Sequence, residues 1–378
     1  MLQTRAVLVV ALLCRSMSRA STLLVGGHGT YGAAFPLAGL SLGYPANAST
    51  LYGAGPNYMA LSADKSLLYV ANGGGQDAGS GVGGEQGIPG VTALALAWPA
   101  GGGAPALSPL GFVATDDPCH VALHPSGAWV FSASYSAGTL SISAVDAAGG
   151  LSPATSYAAA ANAHQVVFSA SGVIVYVTCL GDDSVLQFTF DASSGALRPL
   201  AVAPRIALPA GSGPRHLAIA PDGRRAYVRC ELASVLVQYG FDVDGSLIAP
   251  SAPISTLRSG RPPPALQAAA AVVVSADGRF IYVSNRASPL GAGDNSVLVL
   301  AAGADEETPP TPLAWVDQGI NFPRDITLST DQSALIIANQ NDNSLALYRR
   351  DAATGNLTFV SSASSAPVTG TSFVLTVM

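Results

Sequence analysis

Of the 378 residues, 49% are hydrophobic and 11% charged, with 41 Gly and 26 Pro. That supplies a large core and frequent turns, and it excludes a disordered chain. The net charge is −6, Lys65 is the lysine among 17 basic residues, and no basic run occurs, so a nucleic-acid partner is excluded.

Residues 1–20 stand apart from the rest. Arg5 precedes a short apolar run from Ala6 to Leu13, Ser18 and Ala20 fit a small-x-small cleavage site before Ser21, and the first acidic residue is Asp64. The pattern predicts a signal peptide or, with Arg15 and Arg19, an organelle presequence. A chain so led is secreted or organelle-targeted; without a working leader it is cytoplasmic. The apolar run is too short to span a bilayer, and no other segment qualifies. Residues 21–378 are then one domain, since all-β folds of this length run as single units.

Cys14 falls in the leader. Cys119, Cys179 and Cys230 are odd in number and lack CxxC spacing, so buried free thiols are expected rather than zinc or a disulfide framework. No metal or other cofactor is expected. Asn47-Ala-Ser and Asn356-Leu-Thr are glycosylation sequons, meaningful in a secreted chain.

Six segments share one pattern: an apolar stretch, a short Ser/Pro-Asp-Gly-like turn, and an alternating strand ending near Tyr-Val-x-Asn. They run from Met59 to Asn72, Val121 to Ser134, Val166 to Cys179, Leu217 to Cys230, Val272 to Asn285 and Ile326 to Asn339. Aligned on the turn, the reference residues are Asp64, Ser126, Ser171, Asp222, Asp277 and Asp331, at intervals of 62, 45, 51, 55 and 54. A further apolar strand follows each, as in Ser184 to Phe190 and Ser344 to Tyr348, and Asp-x-x-x-Gly turns often come next. A fourth strand leads into the next repeat. Four strands per repeat of this length predict a β-propeller of four-stranded blades.

The chain ends complete the count. Ser21 to Gly27 reads as a strand lacking its upstream partner, and Ser372 to Val377 as one lacking its downstream partner. Paired, they build a seventh blade and close the ring, which removes exposed sheet edges. The Gly-rich stretch from Gly73 to Gly90 contains a GxGxxG at Gly79, Gly81 and Gly84. No βαβ unit surrounds it, so it reads as a loop rather than a dinucleotide site.

Positions alike in every blade serve the fold; a polar residue unique to one blade needs another reason. Seven residues before the reference turn lie Asn57, Cys119, His164, Arg215, Ala270 and Arg324. Nine after it lie Gly73, Tyr135, Leu180, Glu231, Arg286 and Gln340. These positions lie nearly opposite each other across one hairpin, away from its turn, and so reach the same rim, where the inner strands converge on the channel. His164, Arg215, Glu231, Arg286 and Arg324 form a candidate site of convergent charges. Arg215 and Glu231 could instead be a structural ion pair, and His164 a histidine satisfied beneath a loop. His120, His216 and Asp325 fall one residue further along, where strand alternation predicts the other face of the sheet and a supporting role.

The chain resembles the seven-bladed lactonase family, which includes bacterial-type 6-phosphogluconolactonases and fungal carboxymuconate lactonizing enzymes. The resemblance is carried by Pro118-Cys-His-Val, Gly213-Pro-Arg-His-Leu, Ala220-Pro-Asp-Gly, Glu231-Leu, Asp277-Gly-Arg-Phe-Ile-Tyr-Val-Ser-Asn-Arg286 and Pro323-Arg324. It implies a catalytic quartet of His164, Arg215, Glu231 and Arg286; the register positions and their neighbours add Arg324, Gln340, His216 and His120 as expected substrate-binding residues. Ala271, Cys230, Ser134 and Asp325 depart from the family pattern.

The expected activity is hydrolysis of a sugar-acid lactone, foremost 6-phosphogluconolactone to 6-phosphogluconate, a carboxylic-ester hydrolase step of the pentose phosphate pathway. His164 or Glu231 would act as base and the arginines would hold the anion and oxyanion. The partner is then a small anionic lactone and the chain a monomer. Two rivals are a carboxymuconate-type cycloisomerase using the same groups and a non-catalytic scaffold like the Tyr-Val-Thr-Asn repeat propellers, which Tyr176-Val-Thr-Cys resembles. A Ser-His-Asp hydrolase is the weakest, since a propeller offers no nucleophile elbow.

Overall fold

The computed structural model describes residues 21–27, 32–38, 41–42, 47–49, 55–73, 88–100, 104–260, 263–287, 293–366, 368 and 371–377. The expected leader at 1–20, Cys14, and the GxGxxG at Gly79, Gly81 and Gly84 lie outside the described residues.

The described strands form seven antiparallel sheets. In the first complete blade the order from the channel outward is Pro56–Leu61, Leu67–Asn72, Gly90–Ala97 and Ala106–Ala114. The same order recurs in the blades that begin with Pro118–Leu123, Ala163–Phe168, Pro214–Ile219, Gln267–Val274 and Pro323–Leu328. Each of these first strands lies beside the first strand of the next blade, so together they line the channel. The seventh blade is built from both ends: Thr371–Val377 pairs with Ser21–Gly27, with Leu24 opposite Leu375. That closure is the one expected from the two orphan strands. In this blade and two others the outermost strand is split into two short pieces.

The recurring turn has a local cause. The residue after each reference position adopts the left-handed conformation: Lys65, Gly127, Gly172, Gly223, Gly278 and Gln332 have φ between 62° and 76°. Glycine meets that demand without a Cβ clash, which is why four of the six are Gly.

The aromatic of the Tyr-Val strand is cement between blades. Tyr69, Tyr176 and Tyr282 donate their hydroxyls to the carbonyls of Gly149, Gly245 and Gly355, each in the Asp-led turn of the following blade. Where that strand carries Phe131, Trp129 Nε1 donates to Ala192 O at 2.9 Å instead. In the blade of Tyr227, Arg225 Nη1 donates to Gly303 O at 2.7 Å. In five blades the pattern thus repeats because a side-chain donor satisfies a turn carbonyl of the following blade. Apolar faces of adjacent blades fill the remaining space, as where Tyr176, Val185, Leu217, Val228 and Val237 pack together.

Candidate active site

The inner hairpins carry one irregularity that repeats. Pairing slips between Pro56 and Tyr58, Pro118 and His120, Ala163 and Gln165, Pro214 and His216, Ala269 and Val272, and Pro323 and Asp325. Each slip is a β-bulge, in which one strand carries an extra residue against its partner and a side chain is re-aimed. The extra residues are Asn57, Cys119, His164, Arg215, Ala270 and Arg324, the set that stands seven residues before each turn. The bulge is therefore the device that brings five of these side chains, all but Ala270, to the lining of one cavity.

Glu231, just beyond Arg225–Cys230, ties two blades together. Its Oε2 lies 2.8 Å from Arg215 Nε in its own blade, and its Oε1 lies 2.9 Å from Arg286 Nη2 in the next. The ion pair that could have been merely local extends across a blade boundary. Arg215 Nη1 also donates to Ala270 O at 2.9 Å, reaching the bulge of that same next blade. Arg286 further lies over the ring of Phe322, 5.1 Å from its centroid. Arg324 Nη1 reaches Gln340 Oε1 at 3.3 Å, and no carboxylate pairs with it among the described residues.

His164 is buried, and its Nδ1 has no hydrogen-bond partner among the described residues. Tyr135 and His216 present ring edges to it at 5.9 and 5.4 Å. A cavity of about 10 Å³, room for about one water, is lined by Asn57, Tyr58, Cys119, His164, Arg215, His216, Arg324 and Asp325. The three described cysteines are free thiols, two of them buried as expected and Cys119 in this lining.

The expected facing of two residues is corrected by this geometry. Strand alternation sends His216 and Asp325 to the opposite face from Arg215 and Arg324, yet both pairs line one cavity. The bulge is the reason: it breaks the period-two alternation at that step. His120 lies outside that lining. Its ring lies 4.1 Å from that of Tyr58, and its Nδ1 accepts from Val166 N. Reasoning from the sequence misses Tyr58, Gln165 and Phe322. The first two share the register position of His216, so reading that position across all blades would find them.

Burial dominates the electrostatics. It lowers His164 and His216 well below the ordinary imidazole value, with Arg215 reinforcing the shift, so both rings are neutral at neutral pH. Burial raises Glu231, but Arg286, Arg215 and Arg324 together outweigh it, and its carboxyl sits below the usual range. Burial lowers Arg324 to about 9, with Arg286 and Arg215 contributing, which still leaves it a cation. Burial raises Asp325 to about 7 against the pull of Val374 N–H and Arg215. Near neutral pH the site thus holds three guanidinium groups against Glu231 and a partly ionised Asp325. Such a surplus suits an anion, and the paired guanidiniums offer donors to a developing oxyanion.

The family profile described as "Lactonase, 7-bladed beta-propeller" matches residues 43–375. The 6-phosphogluconolactonase of Bacillus subtilis is 27% identical over 267 residues, covering 66% of this chain and 71% of that protein. The 6-phosphogluconolactonase of Yersinia pestis is 31% identical over 254 residues, covering 64% and 69%. Among solved structures, the periplasmic gluconolactonase of Pseudomonas aeruginosa superposes with a TM-score of 0.82 at 25% identity, covering 95% of this chain and 99% of that one. The chain belongs to the seven-bladed β-propeller lactonase family.

Proposed function

We propose that this protein hydrolyses a sugar-acid lactone, with 6-phosphogluconolactone the foremost substrate. The observation that carries the reading is the Arg215–Glu231–Arg286 bridge beside an arginine, Arg324, that has no carboxylate partner among the described residues. Its relatives include proteins named 6-phosphogluconolactonase and a gluconolactonase.

His164 is the base. Glu231 has both carboxylate oxygens engaged by arginines and its basicity lowered, whereas His164 is held in the proton-accepting form with a ring nitrogen that has no partner among the described residues. His164 takes a proton from water as the water oxygen bonds to the lactone carbonyl carbon. Arg215 and Arg286 stabilise the oxyanion. The ring C–O bond then breaks, its electrons going to the leaving oxygen, and His164 returns the proton there. The product is a hydroxy acid that ionises at neutral pH. Arg324 binds the substrate's own anionic group.

The test is turnover of 6-phosphogluconolactone by purified protein, with the carboxymuconate cycloisomerisation assayed in parallel. Hydrolysis above the spontaneous rate supports the reading; cycloisomerisation alone would move the same residues to the rival reaction.

A further inference from the structure

The position one residue after each bulge has a repeating structural task. His120 Nδ1 accepts from Val166 N, Gln165 Oε1 accepts from Leu217 N at 2.6 Å, and Asp325 Oδ2 accepts from Val374 N at 3.2 Å. In each case the side chain of one blade satisfies a backbone N–H of the next blade's inner strand. Each of these inner strands is an edge of its own sheet, where alternate N–H groups have no ladder acceptor, and the neighbour supplies one.

His216 occupies the same position and makes a different contact. Its Nε2 lies 3.0 Å from Arg215 Nη1. A guanidinium has donors and no acceptor, so the contact exists only if His216 is neutral with a lone pair on Nε2 and the proton on Nδ1. The burial and surrounding arginines that disfavour a charged ring act in the same direction. His216 is held in turn by the rings of His164 and Tyr58.

We infer that His216 is a positioning residue: as a neutral Nδ1-protonated imidazole it fixes the guanidinium of Arg215 against Glu231 and the oxyanion. Arg215 then has a distinct partner on each side, with Glu231 at Nε, and His216 and Ala270 O at Nη1. A neutral acceptor aligns the group without cancelling its charge, as a second carboxylate would. The inference rests on the lactonase reading for its kinetic consequence, and on geometry alone for the tautomer.

Two measurements test it separately. In protein labelled with ¹⁵N in its imidazoles, His216 is expected as the neutral Nδ1–H tautomer, and Arg215→Lys is expected to shift its Nε2 resonance. An Nε2–H tautomer or a charged ring at neutral pH would overturn the inference whether or not the protein is a lactonase. In kinetics, His216→Phe keeps a ring but loses the acceptor, and is expected to lower kcat by about tenfold or more with little change in KM. His216→Gln restores an acceptor and is expected to recover most of it. In an Arg215→Lys background, His216→Phe is expected to cost nothing further. Equal loss in Phe and Gln variants, or a full additional loss in the Arg215→Lys background, would show a merely structural role. Absence of lactone hydrolysis by the wild type would instead count against the proposed function, with the tautomer still decided by the spectra.

Discussion

Glu231 Oε1 lies 2.9 Å from Arg286 Nη2, a contact that joins one blade to the next. With Arg215 on the other oxygen, a single carboxylate neutralises part of two buried cations. Removing one member of a buried charge network leaves the others uncompensated. Glu231→Ala is expected to destabilise the fold by about 3–5 kcal/mol in urea unfolding. Glu231→Gln, which keeps an acceptor oxygen, is expected to lose less stability while still misplacing both arginines and lowering turnover.

With His164 as the proposed base, its neutral state is expected to set the acid side of the activity profile. Burial and Arg215 hold it well below the ordinary imidazole value, so it is already deprotonated where a free histidine would be half charged. The pH dependence of kcat/KM for a neutral lactone is expected to show no histidine inflection near pH 6.5, with activity falling only at lower pH. His164→Ala is expected to cost about 10²–10⁴ in kcat, the usual size of a general-base contribution.

Asp325 makes stability fall as pH rises. Its folded value is raised from 3.8 to about 7, so between those limits the native state holds a proton that the unfolded chain has released. This group's contribution is then fully present below pH 3.8 and is lost up to about pH 7, at a slope of about 1.4 kcal/mol for each pH step of one. Asp325→Asn keeps an acceptor for Val374 N and removes the titration. Its melting temperature is expected to exceed that of the wild type at about pH 8 and to converge with it near pH 4. Parallel curves across that range would refute the assignment.

Arg324, as proposed, is expected to separate two substrate classes. It lines the cavity with Gln340 as partner and, among the described residues, no carboxylate. Arg324→Gln is expected to raise KM for 6-phosphogluconolactone by roughly 10- to 100-fold, the loss of a charge-assisted pair. The same change is expected to leave KM for unphosphorylated gluconolactone nearly untouched. Equal losses on both would remove Arg324 from anion recognition.

Blade count, closure and the rim positions are legible in the sequence because each is a register property. The turn recurs, and His164, Arg215, Glu231 and Arg286 are exceptions at fixed offsets from it. The bulge is not legible. It adds a residue without leaving a composition mark, and so it reverses the expected facing of His216 and Asp325. The cement between blades is half legible: tyrosine recurs, but its replacement by Trp129 and Arg225 is visible only where the donors meet the next blade's turn carbonyls. Cross-blade contacts such as Arg215 with Ala270 O have no sequence signal, since they join residues 55 apart through a backbone oxygen.

The most direct measurement is the initial rate at which purified protein opens 6-phosphogluconolactone, compared with the spontaneous rate in the same buffer and with the Glu231→Gln and His164→Ala variants. A lactonase built on this site is expected to run well above the spontaneous rate as wild type and near it in both variants. A wild-type rate equal to the spontaneous one, or variants as active as the wild type, would contradict that assignment.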